Sequence, residues 1–284
     1  MKTTIENSSY KSDLTNKDKI ILDYILRNKK TACFLTSNEI AELLNVSPSS
    51  VVRLSKKIGF ENFSAFKKAL QMEIAEQEPS LDANEIPYEK IEQYDKLSDI
   101  ELIKAFRQNV LKNITADISS KEDKKFIESA DIISKAKRVF IVGYRTCAGL
   151  ASTFGIMLSC IRPDVFVLNN NGPIVDRLID LGKNDVVVAI SFNRYSGNTK
   201  FAVQIARDAG AKIISFTDFY TSPIAQGVDK VIINSVENFS FYNSYASSMM
   251  NIETIVALVS KKNIAANKKR LMKMEPYLEQ NGEY

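Results

Sequence analysis

Apolar positions along the chain fall into two regimes. Up to residue 76 they recur at three- and four-residue steps, as at Val51, Leu54 and Ile58, the spacing of one face of an α-helix. This spacing predicts helices over 14–29, 37–45, 47–58 and 62–76, with no strand signal between them. From Arg138 onward the apolar residues gather instead into short unbroken runs, RVFIVG, DVFVL, DVVVAIS, KIISFTD and KVIIN. The segments between them, CAGLASTFGIMLS, PIVDRLIDLG and KFAVQIARDAG, return to helical spacing. Continuous β-branched strands alternating with helices are what a parallel sheet covered on both faces requires, so the second region is predicted to be a doubly wound α/β sandwich. Two further helical patterns, IELIKAFRQNVLKNITADI and KKFIESADIISKAK, precede the first strand. A long helix over 245–262 and a basic tail with KKR at 268–270 follow the last. The stretch EQEPSLDANEIPYEK, with Pro79, Pro87 and a cluster of acids, reads as a linker. The division expected is therefore a helical domain over 1–77, a linker over 78–97 and an α/β domain over 98–284.

Composition narrows the function. A length of 284 residues suits two compact domains at about 100 to 200 residues each. At 45% hydrophobic and 25% charged, and with no apolar run near the roughly 20 residues of a bilayer span, a globular chain with no membrane partner is expected. The opening MKTTIENSSYKSD lacks the apolar core of a secretory signal, which places the chain in the cytoplasm. Cys33, Cys147 and Cys160 are odd in number and form no CxxC pair, so neither a disulfide framework nor a zinc site is suggested. The absence of histidine removes the usual neutral-pH base and the commonest metal ligand. No metal or cofactor is expected. The net charge of +4 is too small to indicate nucleic acid by itself, so its distribution matters.

Residues 45–70, NVSPSSVVRLSKKIGFENFSAFKKAL, concentrate that charge. Ser37 is placed to cap one short helix, Asn45 and Val46 make a tight turn, and Ser47 followed by Pro48 opens the next helix. With Val51, Leu54 and Ile58 facing inward, Pro48, Ser49, Ser50, Val52, Arg53, Lys56 and Lys57 are expected to face outward. Between 47 and 68 five basic residues stand against one acid, a local net charge of +4. A well-capped helix with a solvated basic face would share some of these features. Two short helices meeting through a tight turn, the second opening on small polar residues, point to a helix-turn-helix that enters the DNA major groove. The segment SNEIAELLNVSPSSVVRLSKKIGFENFSAFKKAL resembles the N-terminal domain of RpiR-family (MurR/RpiR) transcriptional regulators, including its Lys-Lys-Ile-Gly-Phe element and the Phe63/Phe66 helix. Ser49, Ser50 and Arg53 are the base-edge candidates; Lys56, Lys57 and Lys67 suit phosphate contacts that position without reading sequence.

In the second domain two loops follow strands at the edge where an open parallel sheet binds ligands. One is Gly143-Tyr144-Arg145-Thr146-Cys147 and the other is Ser191 to Thr199, SFNRYSGNT. Each brings polar donors to a helix N-terminus, where unpaired N–H groups favour an anion. Ser196 and Thr199 would also serve as plain helix caps. Arg145 and Arg194 suit planar recognition of phosphate or carboxylate. Residues 100–262 resemble the SIS (sugar isomerase) domain of the same family. The resemblance implies a flavodoxin-like sandwich, dimerisation through this domain and binding of a phosphorylated sugar. Ser191, Ser196 and Thr199 match the family's Ser-rich phosphate loop, and Cys147 falls where the first loop usually has Ser. Arg145 replaces a common Gly, and Phe-Asn-Arg-Tyr lengthens the second loop. These departures suggest a ligand with an extra carboxylate for Arg145 or Arg194. The ligand-binding set expected is thus Arg145, Thr146, Cys147, Ser191, Arg194, Ser196 and Thr199.

The segment ENFSFYNSYASSMM brings Phe239, Phe241, Tyr242 and Tyr245 ahead of the last long helix, where a dimer surface is the favoured role over a pocket wall. Met249, Met250, Ile252, Ile255, Val256 and Val259 would continue it. Cys147 reads as an inert Ser replacement rather than a redox sensor. Together these features predict a transcriptional regulator of carbohydrate metabolism whose affinity for double-stranded operator DNA is modulated by a phosphorylated sugar. It is expected to act as a homodimer, with a tetramer the open alternative. The competing reading is a sugar-phosphate isomerase with a DNA-binding head. Its base would be Glu237 or Glu253, neither of which lies in the two loops. A DNA-binding architectural protein with an inert dimer domain would leave both loops without purpose.

Overall fold

A computed structural model describes residues 14–76, 90, 91, 94, 97–120, 122–169, 172–238 and 240–282. Most of the expected linker, and Phe239, lie outside the described residues. The chain forms two compact units. One takes residues up to 121 with 219–221 and 235–244; the other takes 122–218, 222–234 and 245–284. None of the described helices is long and apolar enough to cross a membrane.

The first unit holds helices α1 (Asn16–Arg27), α2 (Lys29–Ala32), α3 (Ser37–Leu43), α4 (Pro48–Lys57), α5 (Phe63–Glu76) and α6 (Asp99–Ser119). Capping boxes start three of them: Thr15 with Asp18, Thr36 with Glu39, and Ser98 with Glu101. The cap expected at Ser37 therefore falls one residue earlier, because the Thr36 hydroxyl accepts from the Glu39 N–H while the Glu39 carboxylate accepts from Thr36. Asn45 (φ 50°) and Gly59 (φ 95°) provide the left-handed turns that end α3 and α4; Asn tolerates this region better than most residues. The inward faces meet in a core of Ile21, Ile25, Ile40, Val51, Leu54, Ile58, Phe66 and Leu70. Phe60 and Phe66 meet edge-on with ring centroids 5.2 Å apart.

The second unit runs α7 (Asp123–Lys135), β1 (Val139–Gly143), a 3₁₀ turn (Arg145–Cys147), α8 (Ala148–Ile161), β2 (Val165–Leu168), α9 (Ile174–Leu178), β3 (Val186–Ile190), α10 (Gly197–Asp208), β4 (Lys212–Thr217), β5 (Lys230–Ile233), α11 (Ala246–Lys262) and α12 (Ile264–Gln280). Every strand pairing is parallel, in the order β2-β1-β3-β4-β5. Strands β1 and β3 are buried along their whole length, as their unbroken apolar runs predict. Arg138 spans the start of the β1/β3 pair, donating from two nitrogens to the buried Asp185 carboxylate. The basic tail expected after α11 is instead helix α12. Arg270 anchors it by donating to the Ser159 carbonyl of α8 at 3.0 Å.

Candidate functional site

The strand order reverses direction between β1 and β3, and an open α/β sheet binds ligands at the carboxyl ends flanking such a reversal. The two loops singled out in the sequence leave these two strands. The first turns back sharply at Gly143, where a Cβ would lie 2.6 Å from the Cys147 carbonyl oxygen, so the loop requires glycine there. Arg145 follows at φ 57° and Arg194 of the second loop at φ 67°, a region that non-glycine residues seldom occupy and that is concentrated at functional sites. Both arginine side chains are exposed.

Tyr245 stands between the loops. Its hydroxyl donates to the Thr146 hydroxyl at 2.7 Å, and its ring lies 5.7 Å from that of Phe192. Tyr245, expected at a dimer surface, also contacts both loops within the chain. Phe241 and Tyr242 pack edge-on and are exposed. Cys147 is buried, and burial pushes its thiol up to about 11 despite hydrogen bonds involving Tyr245 and the Phe192 backbone.

The second loop is built around two acceptors. The Ser196 N–H donates to the buried Ser191 hydroxyl at 3.1 Å. Asp218, at the end of β4, accepts from the Asn193 N–H at 3.0 Å and from the Tyr195 hydroxyl at 2.8 Å. Ser196 occupies the N-cap position of α10, yet its side chain makes no capping hydrogen bond. Thr199, in the first turn of that helix, is 0% exposed and its hydroxyl has no hydrogen-bond partner. An unpaired buried hydroxyl costs about 1–3 kcal/mol. An anion at the helix N-terminus would meet the first-turn amides. Sequence reasoning missed Asp218; its one signal was its place at the carboxyl end of the strand beside β3.

In the helical unit the α3–turn–α4 pair forms as expected, closed by the Val46 N–H donating to the Ala41 carbonyl at 2.9 Å. Ser47 does not cap α4 through its side chain; its hydroxyl lies 3.0 Å from that of Ser49 and 2.8 Å from that of Ser50. Ser50 is 1% exposed, which corrects its expected outward position: packed in the first turn of α4, its hydroxyl is turned to Ser47. Lys57 forms an ion pair with the buried Asp18. Burial of Asp18 works to raise its pKa, but the hydrogen bonds from Lys57 and Thr15 outweigh this and hold it below the ordinary value. Lys67 donates to the Phe34 carbonyl at 2.7 Å. Ser49, Arg53 and Lys56 remain exposed along α4.

Comparison with known proteins places this geometry. Residues 1–77 match the model of the helix-turn-helix domain of the rpiR family, and residues 132–258 match the SIS domain. The chain is 29% identical over 227 residues to an uncharacterized HTH-type transcriptional regulator of Haemophilus influenzae, covering 80% of this chain and 77% of that one. It is 26% identical to the HTH-type transcriptional regulator RpiR of Escherichia coli, covering 77% of this chain and 71% of the relative. The fold is shared with the Vibrio vulnificus NanR protein complexed with ManNAc-6P, at 15% identity, a TM-score of 0.59 and 93% coverage of each chain. The chain belongs to the RpiR family, helix-turn-helix transcriptional regulators with a SIS domain.

Proposed function

We propose that this chain is a cytoplasmic regulator of carbohydrate metabolism whose affinity for operator DNA responds to a phosphorylated sugar held between the β1 and β3 loops. The observation that carries the reading is the buried, unpartnered Thr199 hydroxyl beside an N-cap serine that leaves the first turn of α10 without side-chain capping. The phosphate would accept hydrogen bonds from Ser196, Thr199 and the α10 amides, with Ser191 shaping the loop from behind. Thr146 and Cys147 line the opposite side. Arg145 and Arg194 suit a second anionic group, such as a carboxylate. NanR, a solved relative in fold, is complexed with ManNAc-6P, which supports a phosphorylated sugar as the class to test.

At the other end of the function, Ser49 and Arg53 reach base edges and Lys56 reaches phosphates. A homodimer would present two such helices to two half-sites. Regulation requires that the ligand bind the DNA-competent and incompetent states unequally; a coupling of about 1–3 kcal/mol is typical. No catalytic role is assigned. Glu237 pairs with Lys112, and Glu253 is exposed on α11.

The test is thermal unfolding of the full chain against phosphorylated sugars, ManNAc-6P and inorganic phosphate among them, followed by operator binding with each compound that stabilises it. A saturating ligand raises Tm by several degrees. A compound that stabilises the protein and leaves DNA affinity unchanged at every salt concentration would refute regulation by that ligand.

A further inference from the structure

We propose that Asp218 is the positioning residue for Arg194: it clamps the second loop so that Arg194 pairs a carboxylate on the ligand, and the site thereby prefers a phosphorylated sugar acid to a neutral sugar phosphate. This rests on the anion site proposed above and names the residue that sets its selectivity. All of the residues concerned lie in the second unit.

The clamp follows from the sheet. Strands β3 and β4 are neighbours with Ile190 beside Phe216, and the Ser191 N–H still donates to the Phe216 carbonyl at 3.1 Å. The two chains leave the sheet level with each other, which brings Asp218, the first residue after β4, beside the loop that leaves β3. Its two carboxylate oxygens then take one donor from each side of Arg194. One accepts from the Asn193 N–H at 3.0 Å and the other from the Tyr195 hydroxyl at 2.8 Å. The Thr217 hydroxyl donates to the oxygen that Tyr195 uses, at 3.2 Å. The Arg194 N–H donates to the Asn193 side-chain oxygen at 2.9 Å.

An aspartate beside a loop can do no more than fasten a turn. Two observations take this one further. The residue it encloses stands at φ 67°, where glycine would sit at little cost and an arginine stays only while its surroundings hold it. That arginine is also the one charged residue between 191 and 199, and it is exposed. A turn that only reversed the chain would have no use for a long cationic side chain at its left-handed position. Fixing the backbone on both sides of Arg194 limits the swing of its guanidinium, and a planar guanidinium that is already in place loses less freedom when it pairs a carboxylate through two hydrogen bonds. A carboxylate at Asp218 repels any anion by itself, so a preference for a second anionic group has to come through Arg194.

Titration calorimetry of the full chain tests this with two matched probe pairs: glucose 6-phosphate against 6-phosphogluconate, and glucose 1-phosphate against glucuronate 1-phosphate. In at least one pair the wild type should bind the acid about fivefold or more tightly, which is what an exposed ion pair can contribute. Asp218→Ala and Arg194→Ala should each reduce that ratio below about twofold, and the double variant should reduce it no further. Asp218→Ala should bind the neutral probe as well as the wild type or better, because a repelling charge is gone. Tyr195→Phe removes one of the two tethers and leaves the charge; it should lower the ratio in the same direction, and it covers the case in which Asp218→Ala does not fold. A wild type that binds both members of each pair alike overturns the proposal and leaves the anion site standing. So does an Asp218→Ala that weakens both members equally, since Asp218 would then only support the loop. If neither the four probes nor inorganic phosphate bind the wild type, the anion site itself is wrong and the proposal falls with it.

Discussion

The backbone N–H of Thr221 reaches the carboxylate of Asp23 at 2.9 Å, across 198 positions of sequence. Asp23 is 6% exposed, and burial pushes its carboxyl up to about 6 against the pull of the Thr221 bond and the Arg27 charge. Because the folded value lies above the unfolded one, the group favours the fold at low pH. That contribution is lost as pH rises from about 4 through about 6, and amounts to at most about 3 kcal/mol. Asp23→Asn should remove this slope, so denaturant unfolding at about pH 4.5 and pH 7.5 should show the wild type losing stability relative to the variant. Parallel pH profiles would mean that the carboxyl is not raised.

Thr199→Val replaces the unpartnered hydroxyl with a methyl group of similar volume. Without ligand the variant should be as stable as the wild type or up to about 1 kcal/mol more stable, since no hydrogen bond is lost. With a stabilising sugar phosphate present it should lose most of the Tm shift. A full shift in the valine variant would remove Thr199 from the site.

On DNA selected by the wild-type chain, Arg53→Ala should cost about 1–3 kcal/mol and relax sequence preference. Lys56→Ala should weaken all sequences alike and reduce the salt slope by about 1. Lys57→Ala should register as lost stability of the helical unit, because Asp18 is buried and loses the ammonium that holds it; about 1–3 kcal/mol is expected in chemical denaturation. The reverse pattern, Lys57 acting on DNA and Lys56 on stability, would overturn the assignment.

Of the three thiols, Cys33 and Cys147 are buried and Cys160 is partly exposed. A disulfide reagent at about pH 8 should therefore modify Cys160 first and reach Cys147 only on unfolding, since its thiol is held near 11. Rapid modification of Cys147 in the native protein would instead indicate a thiolate at the N-terminus of α8.

The strands were legible because burial on both faces leaves short, unbroken β-branched runs between helical segments: RVFIVG and DVVVAIS became β1 and β3 with every strand residue buried. The two loops were legible because each follows a strand run and leads into a helical segment. Ser50 stands one turn before the inward-facing Leu54, so helical spacing alone already turned it toward the core, and its outward placement was a misreading of the wheel. What else escaped was set by tertiary contact. Tyr245 looked like one aromatic in a cluster until the fold put its hydroxyl on Thr146, 99 positions away. Asp218 carries no local signal of the loop it holds, and the charged KKR tail concealed a helix whose anchor is the carbonyl of Ser159.

The left-handed backbone at Arg145 and Arg194 has a practical meaning for anyone who would turn the proposed sugar-phosphate site into a reporter for a different metabolite. Recognition could be re-aimed by randomising these two positions, which lie outside the strands, while β1 and β3 stay untouched beneath them. Yet the alphabet for that library is already restricted. Glycine, asparagine and aspartate enter φ near 60° at little cost, whereas valine, isoleucine and threonine do not. A randomised pool is therefore expected to return mostly short polar or glycine replacements, and to recover new specificity from the neighbouring side chains at Asn193 and Thr146 rather than from bulk at the arginine positions themselves.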